Sequence, residues 1–192
     1  MNTWVTSDLH FGHENILSLG NGRNFSNIQE HDEFLINNWN SVVKNEDLVY
    51  ILGDIYLGVN GEYLENIFKR LNGSIHVIAG NHDRKKEVAY LLNRNLIQSL
   101  RDYYELRYRS TVDDRVYRFI MFHYPILEFN GAFKSGEKSP IYIHLYGHIH
   151  DINDYSDFYK SKGFKAYNVG VDVNNYTPVC LENIINIFRE EG

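Results

Sequence analysis

Short continuous apolar runs alternate along this chain with stretches where apolar side chains recur every three or four residues. Runs of the first kind read as buried strands, and stretches of the second as amphipathic helices. Trp4-Val5-Thr6 is a short strand running into Ser7-Asp8. Phe34, Leu35, Asn38, Trp39 and Val42 keep helical spacing, which predicts a helix over about 30–43. Leu48 to Leu52 is a compact apolar strand ending at Gly53-Asp54. Leu64, Ile67, Phe68 and Leu71 then mark one helical face, with Gly73 as its stop. Ile75 to Ala79 is another buried strand, ending at Gly80-Asn81.

The second half is richer in strands. Tyr104–Ser110 and Val116–His123 flank Val112-Asp113-Asp114-Arg115, which predicts a hairpin. Ile141–Tyr146 is a further strand, ending at Gly147-His148. Thr177 and Pro178 read as the N-cap and first turn of a last helix carrying Leu181, Ile184, Ile185 and Phe188. The order β-α-β-α-β-α, then hairpin, strands and a terminal helix, predicts an α/β fold layered as a sandwich rather than one all-parallel sheet. No repeat or linker interrupts it, so a single domain over 1–192 is expected.

Composition narrows the function classes. With 43% hydrophobic and 23% charged residues the chain can bury a sizeable core, and wholesale disorder is excluded. No apolar run approaches the roughly 18 residues of a membrane span, so no membrane association is expected. Nineteen basic against 25 acidic residues give a net charge of −6, which disfavours a broad basic surface for duplex nucleic acid. Cys180 is the single cysteine, which excludes an internal disulfide framework and any CxxC site. The N-terminal stretch has no basic and apolar leader pattern. Together these favour a reducing, cytoplasmic setting.

Residues of the metal-binding type follow the apolar strands repeatedly: Asp8 and His10, Asp54, Asn81 and His82, His123, His148 and His150. Strand ends of layered α/β folds converge on one rim, where sites form. Two Asp, one Asn and four His are enough for two adjacent divalent ions, and the carboxylate of Asp54 can bridge with both oxygens. Oxygen and imidazole donors without thiolate suit manganese, iron, zinc or nickel better than calcium.

Ser7-Asp8-Leu9-His10, Gly53-Asp54, Gly80-Asn81-His82-Asp83, His123 and Gly147-His148-Ile149-His150 resemble, in order and spelling, the calcineurin-like metallophosphoesterase superfamily. The opening Leu9-His10-Phe11-Gly12-His13-Glu14-Asn15-Ile16 is similar to its small bacterial and phage members. The resemblance implies a four-layer α/β/β/α sandwich. It implies Asp8, His10, Asp54 and His150 at a first metal, and Asp54, Asn81, His123 and His148 at a second. It implies His82 as general acid or transition-state stabiliser while water activated between the metals attacks phosphorus. The expected cofactors are two divalent ions, manganese foremost. The expected substrates are small, nucleotide-like phosphomonoesters or phosphodiesters.

Alternatives stay open beside this. His13 is a phosphate contact, a partner of a ligand, or a loop residue. Asp83 orders the surroundings of His82 or caps the next helix. Arg84 reaches a phosphate, or Arg84-Lys85-Lys86 is a solvated helix face. Asn168 to Asp172 reads as a structural turn in preference to part of the metal rim, and His31, His76 and His144 read as structural. The stretch Glu128–Pro140 reads as a lid or substrate wall. Arg101, Arg107, Arg109, Arg115 and Arg118, interleaved with tyrosines, keep a nuclease or nucleic-acid end-processing role in view. A non-catalytic scaffold of the same fold would show degraded ligand motifs, and here all are present. No arginine follows Asp54 closely, unlike the protein Ser/Thr phosphatase branch, which makes that activity a poor expectation.

Overall fold

The computed structural model describes residues 1–19, 22–134, 140–150 and 155–190. Its elements run β1 (Thr3–Thr6), α1 (Ile28–Val42), β2 (Leu48–Leu52), α2 (Gly61–Phe68), β3 (Ser74–Ile78), α3 (Lys85–Asn93), β4 (Ser99–Arg101) and β5 (Tyr104–Arg109). Then come β6 (Val116–Met121), β7 (Ile141–Tyr146), α4 (Ser156–Ser161), β8 (Ala166–Asn168), β9 (Val179–Cys180) and α5 (Leu181–Glu190). Two sheets result, ordered β4-β3-β2-β1-β9 and β5-β6-β7-β8. In the first, β1 to β4 are parallel and β9 runs antiparallel to β1. In the second, β5 and β6 form the expected antiparallel hairpin, while β6, β7 and β8 are parallel.

Strand β2 shows why its sequence is a continuous apolar run. Val49 and Ile51 face the helices α1 to α3, packing with Leu35, Trp39, Leu64, Phe68 and Leu91. Tyr50 and Leu52 face the other way, against Phe119, Met121, Ile143 and Leu145 of the second sheet. A strand buried on both faces has no polar alternation. Helix α5 inserts Leu181, Ile184 and Ile185 into that same inter-sheet core. The outer face of the second sheet is covered more thinly: Ile120 and Tyr146 pack with Phe129, Ala132, Tyr159 and Phe164, from α4 and the segments beside it. The α/β/β/α order therefore holds, with α1 to α3 on one side and, among the described residues, the six-residue α4 on the other.

Three differences from the sequence expectations have tertiary causes. Thr177 and Pro178 do not start the last helix, because Val179 and Cys180 are taken up as an edge strand paired with Val5 and Trp4. The strands β4 and β8 have three residues each and carry no periodic signal; they exist because an open sheet edge beside them supplies partners. Residues 135–139 of the expected lid lie outside the described residues, and the part before them is packed, with Phe129 and Ala132 buried.

Candidate metal centre

Strands β1, β2 and β3 are parallel, as are β6 and β7, so the chain leaves each sheet at C-terminal ends that share one rim. A parallel bridge between Ser7 and Gly170, and the His148 N–H donated to Asp8 Oδ1 (3.0 Å), bring the loops of the two sheets together. The turns there are unusually tight. Asp8, His10, Asp54, His148 and His150 all have positive φ, between 51° and 72°. Such strain persists only where the surroundings impose it, and it gathers at functional sites. Gly53 makes one of these turns possible: its φ is +84°, and a Cβ there would lie 2.5 Å from the Gly80 backbone.

The ligand atoms of Asp8, His10 and His150 lie within 4.8 Å of one another, as do those of Asp54, His123 and His148. Asp54 joins the two groups: its Oδ2 is 3.7 Å from His10 Nε2 and 3.5 Å from His123 Nε2. Asn81 Oδ1 is 2.9 Å from His123 Nε2. The His82 N–H donates to Asp54 Oδ1 (2.9 Å), and its Nε2 stands 3.9 Å from Asp54 Oδ2 with the side chain 40% exposed. The structure thus brings all seven expected ligands and His82 to one rim.

The donor set fits cations. His10 Nε2 is buried with no hydrogen-bond partner, an arrangement that is costly unless an ion takes the lone pair. His123 donates Nδ1–H to the Leu52 carbonyl (2.8 Å) and His150 donates Nδ1–H to Asp172 Oδ2 (2.6 Å). In the neutral ring each Nδ1–H bond leaves Nε2 as the lone-pair atom facing the centre. Burial, then the Arg23 charge, holds the His10 imidazole neutral, its pKa lowered to about 2. Burial pushes the Asp8 carboxyl up to about 6, though His123 and His150 pull it back. Burial would also raise Asp54, but the hydrogen bond and charge of His123 outweigh it and leave it at about 2. Against the effect of burial, Asp54 and the other carboxylates raise the pKa of His123 and His150. A low-pKa carboxylate among imidazoles is a donor set of the oxygen–nitrogen kind.

Other residues sort themselves out around this core. His13 is a direct neighbour of a ligand, with its Nδ1 3.3 Å from His10 Nδ1. Asp83 accepts N–H bonds from Gly80 (2.8 Å), Asp54 (2.9 Å) and Ile55 (2.8 Å), tying the β2 and β3 turns together. It does not cap α3, whose N-cap is Arg84 without a side-chain bond. Arg84 itself is exposed, and its N–H meets the Tyr56 hydroxyl at 3.2 Å. The expectation of a plain turn at Asn168 to Asp172 is corrected: Asp172 reaches His150. His31 lies outside both donor groups and sits in a buried network, its Nε2 3.0 Å from Arg23 Nη1. His144 and His76 do stay away from the centre, bonded to the Ile120 carbonyl and to Ser99. Arg23 is a residue that sequence reasoning misses, because it sits in a polar stretch with no periodicity and belongs to none of the ligand motifs.

Comparison with known proteins agrees with this geometry. A family model of calcineurin-like phosphoesterases matches residues 1–173. An uncharacterised protein of Methanocaldococcus jannaschii is 33% identical over 97% of this chain and 91% of its own length. The gene 66 protein of Mycobacterium phage L5 is 40% identical over 43% of this chain and 40% of its own. A solved structure of a protein of unknown function from Aquifex aeolicus superposes with a TM-score of 0.72 at 26% identity, covering 97% of this chain and 98% of that one. With its ligand motifs gathered on one rim and a family model spanning most of its length, the chain belongs to the calcineurin-like phosphoesterase family.

Proposed function

We propose that this protein hydrolyses small phosphomonoesters or phosphodiesters of nucleotide size, using two divalent cations, manganese before iron, zinc or nickel. The observation that carries this is Asp54 Oδ2, which stands within 3.7 and 3.5 Å of imidazole nitrogens from two separate donor groups. Asp8, His10, Asp54 and His150 would hold one cation, and Asp54, Asn81, His123 and His148 the other. When bound, such a pair neutralises phosphoryl oxygens and acidifies water. The chain's own residues do the rest. Buried Nδ1–H bonds fix the ring of His123 and that of His150, so no reorganisation is needed on binding. His82 is anchored by its backbone to Asp54 and holds an exposed imidazole at the lip, where Nε2 can pass a proton to the leaving oxygen. His13, beside His10, and Arg84, at the start of α3, are the candidates for steadying the phosphoryl group.

Three of the five arginines interleaved with tyrosines lend the nuclease reading less support than their number suggests. Arg109 pairs with Asp114 (2.8 Å), Arg118 with Glu105 (3.2 Å), and Arg101 stacks over Tyr104 at 4.9 Å. No helix of the described residues is long and apolar enough to cross a membrane, and the proposed setting is the cytoplasm.

The test is a panel of p-nitrophenyl phosphate, bis-p-nitrophenyl phosphate, cyclic nucleotides and short RNA or DNA, each with several metals. Metal-dependent turnover of a small ester, abolished in Asp54→Asn, is expected. Absence of turnover on every small ester with every metal would remove the proposal.

A further inference from the structure

Arg23 is 2% exposed, yet its charge is spent entirely inside the protein. Its Nε and Nη2 donate to the two oxygens of Asp172 at 2.7 and 2.8 Å, a bidentate pair. The same guanidinium donates through Nη2 to the Asp8 carbonyl (2.5 Å) and through Nη1 to the Leu9 carbonyl (3.1 Å). Asp172 then accepts the Nδ1–H of His150 at 2.6 Å. Behind Arg23, His31 Nε2 lies 3.0 Å from Nη1, and His31 Nδ1 is bonded to Asp32 (2.9 Å), which also takes the Gly12 N–H (2.9 Å) and the Tyr63 hydroxyl (2.8 Å). The strained Asp8–His10 turn, positive φ at both ends, is thus held at its carbonyls by the same cation that fixes the partner of His150. The other donor group is built differently: His123 is backed by the neutral Leu52 carbonyl.

We infer that Arg23 and Asp172 are positioning residues for one half of the centre, setting the Asp8–His10 turn and the His150 ring so that these three bind their cation tightly. The inference rests on the proposal that Asp8, His10 and His150 hold an ion. A buried ion pair is a poor source of stability when apolar packing could replace it, whereas a carboxylate behind a ligand histidine raises that ligand's basicity and fixes its tautomer. The arginine is needed as a planar fork, because four acceptors on three residues must be met at once.

The experiment is a titration of the metal-stripped full chain with Mn²⁺, following free and exchange-coupled manganese by electron paramagnetic resonance. Wild type is expected to take two ions with a coupled spectrum. In Asp172→Asn one ion should keep its affinity while the other weakens about 10–100-fold, and the coupled spectrum should be lost at manganese levels that fill wild type. Arg23→Lys keeps the buried charge beside Asp172 but cannot span the carbonyls, and should show the same selective loss in smaller degree. The retained ion reports that each variant is folded. If Asp172→Asn does not fold, Arg23→Lys decides alone. Wild-type affinity for both ions, or equal weakening of both, overturns the inference. Failure of wild type to bind two ions would instead overturn the metal reading beneath it.

Discussion

His82 separates the two tasks that a residue at such a centre can have. Its backbone N–H serves Asp54 while its ring is 40% exposed, so removing the ring leaves the hydrogen bond to Asp54 in place. His82→Ala should lower turnover by about 10²–10⁴-fold when the leaving group is an alkyl alcohol or nucleoside. With p-nitrophenolate, which leaves unprotonated, the loss should be smaller, and bound metal should be unchanged. Equal losses on both substrates would leave His82 only a role in holding the phosphoryl group. Gly53 is a second residue with a sharp expectation. Its φ is +84°, and the methyl group of an alanine there would meet the Gly80 backbone at 2.5 Å, so Gly53→Ala must both strain the turn and push the end of β3 away. The left-handed strain alone costs about 1–2 kcal/mol. Thermal unfolding should show a larger loss than that, with metal affinity falling too, because Asp54 is the next residue. A wild-type melting temperature would show that the turn is softer than its contacts imply.

Among the elements, strand β7 buries a titratable group. His144 lies within it and donates Nδ1–H to the Ile120 carbonyl at 2.9 Å, with Phe129, Tyr146 and Tyr159 rings around it. Burial lowers its pKa to about 4, the backbone carbonyls of Ile120 and Tyr124 offsetting part of that. Below pH 6.5 the unfolded chain gains a proton that the folded one refuses, so stability falls as pH drops from about 6.5 towards 4 and the loss then levels off. The slope can reach about 1.4 kcal/mol per pH unit. Urea unfolding at several pH values in this window should be steeper in its pH dependence for wild type than for His144→Asn; identical slopes would show that His144 is not the group responsible. Helix α5 offers a test of packing. Ile184 is fully buried between the sheets, and Ile184→Ala should cost about 2–5 kcal/mol, measured by the same method.

The scale of the whole molecule decides what can reach the rim. A net charge of −6, with Arg109 and Arg118 already paired to acidic neighbours, leaves less to neutralise a run of phosphates. Turnover of mononucleotide-sized esters should exceed that of duplex DNA and should vary weakly between about 50 and 200 mM salt, whereas a protein making several phosphate contacts loses affinity steeply over that range. Efficient cleavage of long DNA with a strong salt slope, beside negligible turnover of small esters, would favour the nuclease reading.

The chain's pattern alone determined the buried strands and the amphipathic helices beside them, while their parallel pairing came from the fold, because continuous apolar runs and a 3.6-residue period are local consequences of burial on two faces or one. The motifs marked the seven candidate ligands and His82, since each sits just beyond a strand, where the chain must turn and polar side chains can face the rim. Tertiary structure decided the rest. Asp172 and Arg23 are 149 residues apart and carry no shared local signal; only the meeting of the β1 and β8 ends makes one the partner of the other. The edge strand β9 likewise exists only because β1 presents unpaired backbone to it, which turned an apparent helix start at Thr177 into a pairing segment. Local periodicity reports what each segment buries, whereas long-range hydrogen bonds depend on which segments the fold sets side by side.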